Sequence, residues 1–199
     1  MGLFDKKICG VCGDKIGLFG NRKLEDGNLC GNCAKKLSPL FNDRRTSTVD
    51  SIKQQLAYRE ANKQEISRFN VSRQFGESDK VLVDDSARKF IVTSAENWQS
   101  ENPDIIAFSQ VTNFQLDIEE TKEEIMDRDS DDNAVSFNPP RYECFYNFNI
   151  TINVNSPYFS EIDLRLNDDD VKDRDSEGYK KFESQARDLQ ELFKSRPGA

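Results

Sequence analysis

Four cysteines near the N-terminus are the residues whose type and spacing most clearly predict chemistry. They form two C-x2-C pairs, Cys9 with Cys12 and Cys30 with Cys33, separated by 17 residues. A two-residue turn directs both sulfurs of a pair inward, so each can approach one ion at about 2.3 Å. The spacing therefore predicts a tetrahedral metal site, and we expect a structural Zn²⁺. The same ligands also suit iron, so the choice between zinc and iron stays open.

Protein sulfur would fill all four coordination positions, which leaves none for water or substrate. The chain also has no histidine, which excludes Ser-His-Asp and Cys-His nucleophiles and histidine-ligated catalytic zinc. We therefore expect a protein that is not an enzyme. The alternatives for the cysteines are two disulfides, which a reducing compartment disfavours, and a thioredoxin-type pair, which lacks its βαβ context.

The segments around the cysteines must form tight turns. Gly10, Gly13 and Gly31 suit such turns because glycine tolerates positive φ. Residues 34–37 predict a short helix that ends near Pro39, which would put the second cysteine pair at a helix N-terminus. Metal binding would supply much of the free energy of folding of so small a module, about 10 to 16 kcal/mol in comparable peptides.

Charge divides the chain. The net charge is −8, but residues 1–76 carry 14 Lys and Arg against 8 Asp and Glu, whereas residues 77–199 carry 14 against 28. We expect a four-cysteine module at residues 1–43, a helical linker at 44–76 and a second domain at 77–199. The basic residues after the cysteines make nucleic-acid binding the alternative function; they are Arg44, Arg45, Lys53, Arg59, Lys63, Arg68 and Arg73.

Hydrophobic periodicity predicts the elements that follow. Residues 48–69 have the spacing of an amphipathic helix, with Ser47 or Thr48 as its N-cap. From residue 80 the period falls to two, which predicts a hairpin over 81–92, a long strand over 142–154 and a returning strand over 162–166. Residues 179–193 return to helical spacing. The order indicates an α+β fold, an antiparallel sheet covered by a C-terminal helix.

Two further side chains are of interest. Cys144 lies on the apolar face of the long predicted strand, and we expect a buried thiol. Trp98 lies in a polar stretch, and it either contacts a partner or closes one end of a barrel.

These patterns together resemble an uncharacterised bacterial family in which a zinc-ribbon-like or treble-clef-like domain precedes a pleckstrin-homology-like domain. The four cysteines, the helix around 54–60, the hairpin and the terminal helix carry the resemblance. It implies a bent antiparallel sheet or barrel capped by a helix, a protein-interaction role and no enzyme activity. In phosphoinositide-binding members Lys and Arg fill the first hairpin loop; here Asp84 and Asp85 accompany Arg88 and Lys89, which disfavours that ligand.

The expected function is a non-enzymatic adaptor that contains zinc and binds a protein partner or associates with itself. No apolar run reaches the length of a secretory signal or of a membrane span, so we expect a cytoplasmic location.

Overall fold

The computed structural model describes residues 7–17 and 19–194. The four-cysteine module, which we call the metal module, contains the short strands β1 (Arg22–Lys23) and β2 (Asn28–Leu29), which pair antiparallel, and the one-turn helix α1 (Gly31–Ala34). The predicted helix at 34–37 therefore begins three residues earlier, inside the second cysteine pair. Of the three glycines predicted to need positive φ, only Gly13 adopts it, at 78°.

A 3₁₀ turn (Arg44–Thr46) leads to the helix α2 (Val49–Ile66). Thr48 is its N-cap, as predicted, because its side-chain oxygen accepts a hydrogen bond from the backbone N–H of Ser51 at 3.2 Å. The helix ends three residues before the predicted end at Phe69. Its buried face repeats at alternating spacings of three and four, which is the period of one helix face; the buried residues are Ile52, Gln55, Arg59, Asn62 and Ile66.

Two antiparallel sheets follow. The first has the order β3 (Arg73–Phe75), β4 (Lys80–Asp84), β5 (Lys89–Thr93) and β6 (Ile106–Ala107), with the short helix α3 (Trp98–Glu101) between its last two strands. In the second sheet β8 (Ala134–Val154) pairs with β7 (Val111–Arg128) on one side and with β9 (Glu161–Arg165) and β10 (Val171–Lys172) on the other. The helix α4 (Glu177–Lys194) ends the described chain.

The α+β composition, the hairpin and the terminal helix are confirmed. The described strands from β3 to β10 form two separate open sheets, however, and they do not close into one barrel. No helix within residues 7–17 and 19–194 has both the length and the hydrophobicity to cross a membrane.

The two sheets share one hydrophobic core with α4. Alternate residues of β8 from Tyr146 to Val154 are buried in it, as the predicted period of two requires. Phe193 near the end of α4 contacts both sheets, with ring centroids 4.8 Å from Phe90 of β5 and 5.9 Å from Phe114 of β7. Helix α4 therefore joins the sheets into one body.

Helix α2 packs on the outer face of the first sheet. Ile66 of α2 lies in a second cluster with Leu82 and Ile91, whose neighbours along β4 and β5 face the main core. Trp98 is half-buried in this cluster, with its ring edge-on to Phe69 at 5.8 Å between centroids. Trp98 thus covers the side of a sheet next to α2, and neither prediction for it described that position.

Strands β7 and β8 continue past the core as a two-stranded arm, which we define as residues 122–144. Its pairing runs from Lys122 opposite Cys144 to Arg128 opposite Ala134, about 20 Å at the usual rise per residue. The described side chains from 122 to 142 are exposed apart from half-buried Phe137. The long strand was predicted to begin only at Tyr142, so the sequence analysis missed the arm. Cys144 at its base is half-buried, not buried as predicted.

Candidate metal centre

The four predicted ligands come together at one point. The sulfurs of Cys9, Cys12, Cys30 and Cys33 all lie within 4.8 Å of one another, and each is a free thiol. The sulfurs of Cys12 and Cys30 are 3.7 Å apart. Four sulfurs placed tetrahedrally at about 2.3 Å from one ion are about 3.8 Å apart, so this separation fits a metal-bound set. The four cysteines are positioned to bind a metal ion.

Local backbone structure directs these sulfurs. Cys30 is the N-cap of α1, and its sulfur accepts a hydrogen bond from the backbone N–H of Cys33 at 3.4 Å. The N–H of Cys30 in turn donates to the sulfur of Cys9 at 3.3 Å. Such N–H donors stabilise thiolates, the form in which cysteine binds metals. The C-x2-C spacing thus supplies both the ligands and part of the hydrogen bonding around them.

Burial differs among the ligands. Cys9, Cys30 and Cys33 are buried, whereas Cys12 is exposed. Burial raises the pKa of the Cys9 thiol, but backbone N–H groups at Cys12 and Cys30 donate to its sulfur and lower its pKa to about 6. Burial also raises the pKa of Cys33. A bound cation would favour the thiolate form of all four.

The exposed side of the site opens on a cleft of about 510 Å³. Cys12 and Cys33 line it together with three lysines, Lys35, Lys36 and Lys63. Four thiolates and one divalent ion would carry a net charge of −2, which Lys35 and Lys36 would offset in part. Glu60 and Glu101 line the same cleft, and Lys63 forms an ion pair with Glu60. The cleft also gives chelators a route to the ion.

The start of α2 packs directly on the metal module. A Cβ atom added to Gly10 or to Gly27 would lie 2.7 Å from Cγ2 of Val49. Gly10 is therefore required for close packing and not for positive φ. Ile52, one turn further along α2, is fully buried in the core of the module with Leu24 and Leu29. The first turns of α2 are thus part of the metal module.

The same helix carries a buried polar contact to the first sheet. Asp104, just before β6, accepts hydrogen bonds from the guanidinium of Arg59 at 3.0 Å and from the hydroxyl of Ser38 at 2.6 Å. Ser38 follows the last metal ligand by five residues. Asp104 has no exposed side-chain area, and that of Arg59 is 8% exposed. The metal module therefore packs on the sheets and does not project freely.

A second set of buried amides extends this contact. Asn62 donates to the side chain of Asn102 at 2.8 Å and to the backbone carbonyl of Pro103 at 2.7 Å, and its own oxygen accepts from the N–H of Ile105 at 3.1 Å. Asn102 donates back to the carbonyl of Arg59 at 3.0 Å. Sequence analysis missed these residues because their side chains are polar. The spacing of the α2 residues could have indicated this buried face. Gln55, Arg59 and Asn62 lie on the same side of the helix as Ile52 and Ile66.

Comparison with known proteins gives a family for the metal module. Residues 7–55 match the family described as Domain of unknown function (DUF4428). The match contains all four cysteines and ends in the second turn of α2, where the core of the module also ends. The chain thus carries a DUF4428 domain with four cysteines positioned to bind a metal. Comparisons with curated proteins and with solved structures gave no match.

Proposed function

We propose that this protein is a non-enzymatic cytoplasmic adaptor, in which a structural Zn²⁺ stabilises the N-terminal module and the sheet domain contacts a protein. The observation that carries the proposal is the arm at residues 122–144. Apart from the half-buried Cys144 at its base, no residue of this ribbon packs against the main hydrophobic core. Its exposed apolar residues suit a protein interface; they are Ile125, Met126, Val135 and Tyr142, each 37 to 57% exposed.

Zinc is the metal we propose for the four-cysteine site. Four thiolates in a tetrahedral arrangement are the ligand set of structural zinc, and a reducing cytoplasm keeps those thiols available. Iron is the alternative for the same ligands. Elemental analysis of the purified chain should find one zinc per molecule, and a colourless protein would argue against ferric iron. A chain with much less than one equivalent of either metal would overturn a structural metal site.

We further propose a pleckstrin-homology-like architecture for residues 77–199. Two antiparallel sheets in contact with a C-terminal helix support this likeness. Both cations of the first hairpin loop are engaged within the protein: Lys89 forms an ion pair with Glu65, and the guanidinium of Arg88 lies over the Phe108 ring at 5.3 Å. The carboxylate of Asp84 is buried and accepts hydrogen bonds from the loop itself. The electrostatics of this loop favour a protein ligand over a phosphorylated lipid.

Nucleic-acid binding has less support. Of the seven basic residues that suggested it, Lys53, Arg59, Lys63 and Arg73 form ion pairs with carboxylates, and the pair of Arg59 is buried. A paired cation gains less from contact with phosphate because its present partner must be displaced. Fluorescence anisotropy with the full chain and labelled DNA or RNA tests this alternative: salt-sensitive binding at micromolar concentrations would favour it.

Site-specific cross-linking tests the adaptor function. A photo-activatable residue at Tyr142 should form protein adducts in cells, because this side chain is exposed on the arm. The matched control carries the same residue at Lys180, which is exposed on α4, and should form few adducts. Adducts with a second copy or with another protein would both support the proposal. Equal labelling at the two positions, or none at Tyr142, would count against it.

A further inference from the structure

The large hydrophobic side chains exposed among the described residues fall mainly in two places. Four of the seven lie on the arm, and two, Ile8 and Phe19, lie on the metal module with exposed fractions of 57% and 95%. The seventh is Val71, 40% exposed in the turn after α2. Exposed apolar side chains concentrated at two separate sites indicate two contact surfaces rather than general surface hydrophobicity.

The same two places carry opposite charge. The arm, residues 122–144, has seven Asp and Glu against three Lys and Arg. Residues 7–23 of the metal module have four Lys and Arg against the single Asp14. We define the knuckle surface by the exposed cationic and large apolar residues of that segment; they are Lys7, Ile8, Lys15, Phe19, Arg22 and Lys23. Asp14 and Cys12 next to them are also exposed. The arm and the knuckle surface thus carry opposite net charges, and both expose large apolar side chains.

The fold places the arm far from the contact between α2 and the second sheet. Tyr58 of α2 packs against Tyr158 with ring centroids 5.1 Å apart and ring planes tilted by 41°, and Tyr158 follows the C-terminal end of β8 at Val154. The arm lies at the opposite end of the same strand. The ten residues from Cys144 to Val154 span about 33 Å at the usual rise of a strand. Along this length β8 is paired with β7 on one side and with β9 and β10 on the other. The paired strands therefore fix the separation between the arm and α2, whose first turn packs on the metal module.

The arm also keeps its charge free for a partner. The ion pairs at its base join Glu120 to Lys122 and Arg174, and Glu143 to Lys172. At its tip Arg128 pairs with Asp132. Glu123, Glu124 and Asp127 between these points are exposed and have no ion pair within the described residues. Two arms placed side by side would bring these carboxylates together, so arm-to-arm pairing is disfavoured.

We infer that the arm of one copy of this chain docks on the knuckle surface of a second copy. The inference rests on the proposed adaptor function and names the partner of the arm. Because two different surfaces meet, one contact leaves an arm and a knuckle surface free. These two surfaces either bind further copies in an open assembly or bind each other and close a reciprocal dimer or a ring. In both cases self-association rises with concentration and weakens with salt.

The experiment is sedimentation velocity of the full, metal-loaded chain over a range of concentrations. The weight-average mass should rise with concentration, and raising the salt from about 50 to 300 mM should weaken association by about tenfold or more. One variant replaces residues 123–143 by Asn-Gly, a two-residue hairpin turn. The other combines Arg22→Glu and Lys23→Glu on the knuckle surface. Each variant alone should remain monomeric.

An equimolar mixture of the two variants gives the sharpest result. The variant without the arm retains the knuckle surface, and the Arg22→Glu, Lys23→Glu variant retains the arm. Together they should form a 1:1 complex that does not grow further. The matched control reverses two cations on α4, Lys180→Glu and Arg187→Glu, and should associate like the parent. Circular dichroism and zinc content verify that each variant is folded.

Two results would overturn the inference. One is a parent chain that stays monomeric at all concentrations; the other is association that both variants retain. If the parent is monomeric while Tyr142 cross-links to a different protein, the adaptor function stands and only the choice of a second copy fails. If there is neither association nor cross-linking, both proposals fail.

Discussion

The guanidinium of Arg59 donates a hydrogen bond of 3.0 Å to the carboxylate of Asp104, and both side chains are buried. The other oxygen of that carboxylate accepts from Ser38 at 2.6 Å, five residues after the last metal ligand. One carboxylate in the sheet domain therefore holds both α2 and the segment that leaves the metal site. The carboxylate of Asp104 thus joins the metal module to the first sheet.

The first prediction concerns this carboxylate. Asp104→Asn removes the charge that compensates Arg59 and leaves a buried guanidinium without an anionic partner. Loss of one member of a buried ion pair costs about 3 to 5 kcal/mol, so we expect a fall of that size in the free energy of unfolding by urea. Glu60→Gln on the same helix is the control, because its pair with Lys63 is exposed on both sides and should be worth less than about 1 kcal/mol.

If Asp104→Asn costs no more than Glu60→Gln, the buried pair does not hold the module to the sheets in solution. Arg59→Met combined with Asp104→Asn distinguishes a lost contact from an unpaired charge. The double variant should recover part of the stability because no buried cation remains.

The second prediction concerns metal removal. Chelation, or Cys33→Ser, should increase amide hydrogen exchange throughout residues 7–46 and in the first turns of α2, because Ile52 belongs to the core of the metal module. The buried residues of β8 should keep their protection, since the described residues of the module contribute only the half-buried Leu40 to the edge of their core. Hydrogen exchange with mass spectrometry measures both regions.

Cys144→Ser is the matched control for metal removal, because this thiol lies on β8 and outside the four-sulfur cluster. It should retain the metal and the parent exchange pattern. Unchanged protection of residues 7–46 without metal would show that the module folds independently of its ion.

The third prediction compares two buried amides on one helix. Gln55 is 1% exposed, and neither its side-chain oxygen nor its nitrogen has a hydrogen-bond partner among the residues that the structure describes. Gln55→Met should therefore stabilise the fold by about 1 to 2 kcal/mol, since it removes unpaired buried polar atoms at similar volume. Asn62→Leu should cost at least about 2 kcal/mol, because it leaves the partners of three hydrogen bonds unpaired. Urea unfolding of both variants measures the contrast, and destabilisation by Gln55→Met would contradict it.

The parts of the structure that sequence analysis predicted are those that a local pattern encodes. The C-x2-C pairs and the alternation along β8 follow from ligand geometry and from a strand period of two. Asp104 carries no such pattern, because its role depends on Ser38 and Arg59, which are 66 and 45 residues away in the chain. The buried face of α2 was obscured for a related reason: its middle is polar, and hydrophobic periodicity does not register a hydrogen-bonded asparagine.

The arm escaped prediction on different grounds. Neither face of its two strands is buried, so residues 122–142 need no alternation of apolar and polar side chains. Backbone pairing with the opposite strand is enough to define it, and that pairing is invisible to hydrophobicity. Exposed apolar residues within such an acidic segment, at Ile125 and Val135, were the signal that could have marked it as ordered.

The last prediction concerns pH. Burial raises the pKa of Asp84, but hydrogen bonds from the Ser86 hydroxyl and from the backbone N–H groups of Asn70 and Ala87 outweigh it, so the pKa lies below its usual value. A carboxyl whose pKa is lower in the folded than in the unfolded state stabilises the fold above about pH 4, and this stability is lost as the pH falls through the folded pKa.

Asp84→Asn should therefore lower stability at pH 7 and reduce the further loss between about pH 5 and 3, which urea unfolding at each pH measures. Asp188→Asn makes the same charge change at an exposed position of α4 and should leave the pH profile as it is. The two profiles of Asp84→Asn and the parent should converge at low pH, because there the native carboxyl is protonated and the parent has lost the same interaction. Parallel profiles with a constant offset would mean that Asp84 acts through packing and not through its charge.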